Sequence, residues 1–431
     1  MKKINVIGAG LAGVEAVHYL ISKGYEVHLY EKRPYSNTPA HHSEYFGELV
    51  CSNSLKSNKL DNACGLLKEE MRHMNSITMK YAELTKVPSG NALSVDRELF
   101  AKQITEEIKS SPLVKIHYED VKTIDENEIT IIATGPLSSD EFVENLKKYV
   151  GDETLNFFDA CSPIVEKDSI DFTKAYYKSR YDQGDDSYIN CAMDKEEYAR
   201  FYNELINAKT APVHDIDTKY FEGCMPVEAI AKRGEKTLRY GPLKPMGLGR
   251  TPEDRPFAVI QLRQDNVSGS LYNIVGFQTN LTYAEQKRVF GLIPGLENAK
   301  YVRYGLMHRN TYVCAPKCLN KDLSIKGHEN LFIAGQLSGV EGYVESAATG
   351  IVAAINALRK AENKKTINVP IDTILGALIN YITVCSPKNF SPMNANFGIM
   401  YNAERDRELL AQKLLNSIDI WWKEIHEWYN C

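Results

Sequence analysis

The chain has 431 residues, of which 43% are hydrophobic and 25% charged, and it carries a formal net charge of −5. These proportions are those of a soluble globular protein of roughly two to three domains, and they exclude collagen-like and wholly disordered chains. No apolar run approaches the ~18 to 20 residues of a membrane helix, and the acidic balance confines any nucleic-acid surface to a local patch.

Residues 3–8 (KINVIG) predict a short buried strand, residues 11–22 a helix, and residues 25–31 (YEVHLYE) a second strand. Between them lies GAGLAG, in which Gly8, Gly10 and Gly13 alternate with Ala9, Leu11 and Ala12 in GxGxxG spacing. Gly8 allows a tight turn, Gly10 lets the backbone approach a pyrophosphate, and Gly13 lets helix and strand pack closely. The helix N-terminus then offers free N–H groups to the phosphates. Glu31 ends the second strand, where a carboxylate binds ribose hydroxyls. The opening residues also have the outline of a signal peptide, but Glu15 and His18 interrupt the apolar stretch, and strand, turn and helix explain it better.

Nine cysteines, an odd number in a long chain, argue against a disulfide framework and for a reducing cytoplasm. Cys314 and Cys318 lack a second half-site, so no metal is expected. Cys51 lies in GELVCSNSLKSN, where a short apolar run gives way to the turn formers Ser52, Asn53 and Ser54. Residues 129–135 (ITIIATG) predict another buried strand, ending at Gly135, and residues 141–210 read mostly as helices and loops. Cys224 lies in GCMPVEAIAKRG; Pro226 suits a first helical position and Gly234 the stop, so the thiol precedes a helix N-terminus, which favours the thiolate. Residues 257–263 and 271–278 predict paired strands. Residues 331–335 (LFIAG) predict a strand that runs through QLSGVEGYVESAATG into a helix reaching about residue 360. A last helix, about 403–429, carries Trp421, Trp422 and Trp428, read as packing residues. Net charge is +4 over 228–263 and +5 over 300–321, with tyrosines interleaved. Against an acidic whole, these stretches point to a basic face for a polyanion, and each taken alone also fits solvated surface charge.

The second glycine-rich junction, with Gly335 and Gln336, resembles that of flavoproteins of the glutathione reductase type. The resemblance implies an α/β fold with a Rossmann-type FAD-binding domain, made from residues 1–140 and 310–431, and an inserted α+β domain over 141–309 that faces the substrate. More closely, the chain is similar nearly end to end to the folate- and FAD-dependent uracil-5 methyltransferases of tRNA (the TrmFO family). The stretches that carry this include ELVCSNSLKSN, GLLKEEMR, SVDRELF, EGCMPVEAIAKRG, GPLKPMGL, NIVGFQTNL, RYGLMHRNTY and AGQLSGVEGYVESAATG. The last of these also resembles the larger MnmG flavoproteins, which carry an additional C-terminal domain.

That resemblance implies methylation of uridine carbon 5 in the tRNA T-loop. Methylenetetrahydrofolate supplies the carbon through the flavin, and NADPH or NADH regenerates reduced FAD. Cys224 is then the carbon 6 nucleophile and Cys51 a partner that removes the carbon 5 proton or guards the flavin. Arg309 or Lys244 would place a cation near the uracil oxygen, and Lys244, Arg303 and Arg309 would contact RNA. Tyr343 would stack on the flavin or the folate pterin. There are departures from the family pattern: TPAHHSEYFGE before Cys51, Lys56 where Arg is usual, Ala192 where Pro is usual, and DACSP at 159–163. With 35 lysines against 16 arginines, an AT-rich genome is indicated, and a branch of the family in such bacteria modifies large-subunit ribosomal RNA instead. Two other classes compete: an NAD(P)H-dependent flavin oxidoreductase acting on a small molecule, and a non-catalytic flavin-bound RNA-binding protein.

Overall fold

A computed structural model describes residues 3–38, 40–151, 154–182, 186–212, 220, 225–251, 253–401 and 406–427. A six-stranded sheet lies at the centre, in the order Ser324–Ile325, His328–Ile333, Thr130–Ile132, Ile4–Ile7, Val27–Glu31, Val114–Tyr118. All its pairings are parallel except the first. Ile4–Ile7 and Thr130–Ile132 are buried at every residue, Asn5 and Thr130 included, which is why neither shows the alternation of a half-exposed strand. The helices Leu11–Ser22 and Tyr343–Ala361 pack against each other at backbone distance: a Cβ on Gly350 would sit 2.2 Å from the Ala12 carbonyl oxygen. The strands at either end of the chain therefore build one sheet and one core.

The middle of the chain forms a second six-stranded sheet, in the order Tyr176–Tyr177, Ile189–Met193, Ala258–Gln264, Leu271–Ile274, Ile164–Glu166, Tyr301–Arg303. Every pairing in it is antiparallel, and it has a core of its own that includes Ile189, Ile260, Phe201 and Phe277. Thr154–Ala160 pairs antiparallel with Met307–Val313. The expected pair at 257–263 and 271–278 is present, with Leu262 opposite Ile274. The expectation of helices and loops over 141–210 needs correction. Among the described residues four strands lie there, and three of them pair with partners far along the chain (Asn190 with Gln261, Val165 with Tyr272, Asp159 with His308). Such pairings leave little local signal, because side chains packed across strands stabilise them more than backbone propensity does.

The C-terminal helix spans Arg407–Glu427. Trp421 is buried and Trp422 lies beside Tyr19, so both are packing residues as expected, while Trp428 lies outside the described residues. Among the described residues no helix is long and apolar enough to cross a membrane.

Candidate active site

Five parallel strands end on one side of the central sheet, and a cavity of about 440 Å³ opens beyond their carboxyl ends, the usual position for a ligand in such sheets. Gly8, Gly10, Leu11 and Ala12 line it, as do Glu31, Thr134, Gly135, Gly335, Gln336 and Tyr343. The three glycines of GAGLAG divide the work as the sequence implies. Gly8 has φ +100°, and a Cβ there would meet the Ala133 carbonyl oxygen at 2.4 Å. A Cβ on Gly13 would meet the Gly8 carbonyl oxygen at 1.8 Å, so strand and helix touch at that point. A Cβ on Gly10 would meet nothing within 4 Å, so Gly10 borders open cavity at the helix N-terminus. That combination fits the pyrophosphate of an FAD, whose oxygens would take the unpaired N–H groups of the helix's first turn.

Glu31 sits where the sequence places it, but its oxygens are occupied. They accept from the Ala9 N–H (2.9 Å), the Arg33 N–H (3.0 Å), Arg33 Nε (3.0 Å) and Arg33 Nη2 (3.1 Å). Burial opposes ionisation there, yet Arg33 and the two N–H groups hold the carboxyl below its ordinary value. These four donors fill a carboxylate's four lone-pair positions. Glu31 therefore pins the glycine turn to Arg33, and a ribose hydroxyl would have to displace one of the donors.

Cys51 lies half-buried on the same cavity wall, in a turn clamped from several directions. The Tyr343 hydroxyl accepts from the Cys51 N–H (2.6 Å) and the Ser52 N–H (3.0 Å). Arg263 donates to Asn53 Oδ1 (3.0 Å) and Ser52 Oγ (2.7 Å), and Arg97 donates to the Leu49 carbonyl (3.1 Å). The fully buried Lys68 ammonium donates to the carbonyls of Leu55 (2.9 Å), Ser57 (2.5 Å) and Cys64 (3.0 Å). Tyr343 thus positions the Cys51 turn, a role its sequence context did not reveal. Burial, and next the neighbouring Cys51, push its phenol well above the ordinary value, so it stays neutral.

Other residues of the cavity escaped sequence reading. Glu341 is buried at the start of the Gly342–Tyr343 turn, where it accepts from Gln336 Nε2. Burial, then the charge of Asp159, raises its carboxyl to about 8, so at neutral pH it is mostly protonated. His308 lines the cavity with a buried ring whose Nδ1 has no hydrogen-bond partner among the described residues, and burial lowers its pKa. A buried ring nitrogen without a partner calls for one, and a bound ligand can supply it. The signal available for Glu341 was its place inside the second glycine motif; His308 gave none.

The expected basic residues separate. Lys244 and Arg309 are exposed. Arg303 is half-buried, donates to the Ala40 carbonyl (3.1 Å), and its charge reaches Cys161 and His308. Cys224 lies outside the described residues. The helix expected after it is present as Val227–Ala231, with Pro226 as its N-cap.

The architecture is that of a Rossmann-type FAD-binding protein with an inserted α+β unit. Solved structures of GidA from Aquifex aeolicus superpose on 98% of this chain with TM-scores of 0.73 and 0.71 at 16% identity, and the chain covers 76% and 73% of those proteins. The sequence family described as glucose inhibited division protein A matches residues 3–365. Curated relatives are far closer in sequence. A methylenetetrahydrofolate–tRNA-(uracil-5-)-methyltransferase TrmFO from Ligilactobacillus salivarius is 56% identical over 400 residues, 92% of this chain and 91% of its own. The TrmFO of Listeria monocytogenes is 52% identical over 427 residues, 97% of this chain and 98% of its own. The chain belongs to the GidA family and, within it, to the TrmFO methyltransferases.

Proposed function

We propose that this protein methylates carbon 5 of a uridine in tRNA, with methylenetetrahydrofolate as carbon donor and FAD reduced by NADPH or NADH. The observation that carries the reading is the clamped Cys51 turn on the wall of a cavity built around the GAGLAG pyrophosphate cradle. The relatives' names support tRNA over ribosomal RNA as the substrate.

The cradle would hold FAD through the first-turn N–H groups beside Gly10, with Gly335, which lies against Ala12, and Gln336 completing the lining. The bound flavin supplies redox equivalents and a one-carbon carrier. Uridine carbon 5 is a poor nucleophile, and a thiolate added at carbon 6 makes the ring an enolate whose carbon 5 can attack. We assign that thiolate to Cys224. Cys51, fixed by Tyr343 and Arg263, is the second thiol and works at the carbon 5 proton or beside the flavin. Glu341, protonated at neutral pH, offers a hydrogen bond inside the cavity to an oxygen that gains charge. The unit over 141–309 would present RNA through exposed cations such as Arg309 and Lys244. It would join an FAD-binding unit formed by 1–140 and 310–431.

Cys224→Ala and Cys51→Ala test the assignment. Each should lose transfer of labelled carbon to RNA while the purified protein keeps its flavin. Normal transfer by either variant would remove that thiol from the reaction.

A further inference from the structure

Cys161 has no local setting like those of Cys51 and Cys224, and the structure brings it to Cys51. The two backbone segments face each other with reciprocal contacts. Cys51 Sγ donates to the Ala160 carbonyl (3.4 Å), and Cys161 Sγ donates to the Val50 carbonyl (3.4 Å). Each sulfur lies against the backbone beside the other cysteine, so the two thiols are neighbours. Neither belongs to a disulfide. Their exposure differs: Cys51 is half-buried on the cavity wall, whereas Cys161 is 1% exposed.

We infer that Cys51 and Cys161 form a redox-active dithiol site that takes low-molecular-weight disulfides as its oxidant and closes to an intramolecular disulfide. Cys51 is the attacking sulfur, because it alone faces the cavity. Its thiolate adds to one sulfur of the oxidant, breaking that S–S bond and releasing one thiolate. The Cys161 thiolate then attacks Cys51 Sγ and expels the second half of the oxidant as thiolate. The pair has lost two electrons and two protons, and the oxidant has become two thiols. Cys161 suits the resolving step: the neighbouring Cys51 thiol and then the charges of Arg303 and Arg97 favour its thiolate despite burial. Closure brings the two facing sulfurs together to the ~2.05 Å of an S–S bond. Because the proposed function gives Cys51 a part in methyl transfer, the disulfide would withdraw that thiol from the reaction.

The test is peptide mapping of the full-length flavin-bound protein after exposure to glutathione disulfide, with remaining thiols blocked by a maleimide once the protein has been unfolded in denaturant. Wild type should lose two of its nine maleimide-reactive thiols, yield a Cys51–Cys161 cross-linked peptide, and regain both thiols with dithiothreitol. Cys161→Ala, and Cys161→Ser as a second variant, should instead hold glutathione on Cys51, since nothing resolves the adduct. A wild-type protein that keeps glutathione on Cys51, leaves Cys161 maleimide-labelled, or links Cys51 to Cys224 would overturn the inference. The mapping reads bonds rather than turnover, so its failure is separate from failure of the methyltransferase reading.

Discussion

Replacing Glu341 by glutamine should flatten part of the protein's stability–pH curve. In the fold, burial and then the Asp159 charge raise this carboxyl from 4.5 to about 8. In the unfolded chain it ionises near its ordinary value. Between those two values the unfolded state gives up a proton that the native state keeps. The unfolded state therefore binds fewer protons, and stability falls as pH rises through that window. At 1.36 kcal/mol per unit, the loss attributable to Glu341 between pH 5 and pH 8 is about 4 kcal/mol, and less where cavity water solvates the group. Urea melts of flavin-free wild type and Glu341→Gln at intervals across that range would measure it. Glu15 and Glu70, raised to about 6 and about 7 by burial, titrate in both proteins and cancel in the difference. The gap between the curves should widen in the variant's favour as pH rises. Parallel curves would mean that Glu341 ionises normally and is no neutral donor in the cavity.

Gly10→Val should fold with near-normal melting temperature yet purify with little flavin, because its side chain enters open cavity; full flavin content would refute the cradle. Gly13→Ala should do the opposite, costing roughly 1 to 3 kcal/mol of stability by overpacking against the Gly8 carbonyl, and an unchanged denaturation midpoint would remove that contact from the account. Tyr343→Phe leaves the N–H groups of Cys51 and Ser52 without their acceptor, at about 1 to 3 kcal/mol each if water does not replace it. Its signature is faster alkylation of Cys51, and wild-type alkylation kinetics would show that the turn is held without it. Charge reversal at Arg309 should weaken RNA binding more at low salt than at high salt, and equal affinity of variant and wild type would take that cation off the RNA face.

Where the chemistry is local in sequence, it was legible. GAGLAG, the strand before it and the helix after it depend on neighbours a few residues apart, and the glycine roles follow from steric contacts within that unit. Cys51 was visible through its turn formers. Arg263 and His308 were not, because they reach the cavity through strands whose partners are distant in the chain, and Cys161, just past the end of another such strand, was not either. Glu31 and Tyr343 both line the cavity, but their hydrogen-bond partners depend on tertiary placement. Arg33 saturates the first, and the hydroxyl of the second receives the Cys51 turn.

The most direct test of the central claim is a single label-transfer assay. Purified protein with FAD and NADPH would receive methylene-labelled tetrahydrofolate, with a tRNA transcript and a large-subunit ribosomal RNA fragment offered in parallel. Label in 5-methyluridine of the tRNA is the expected result. Label confined to the ribosomal fragment would contradict the tRNA assignment while leaving the chemistry intact. Label in neither RNA, from a flavin-loaded protein that still oxidises NADPH, would contradict the methyltransferase reading itself.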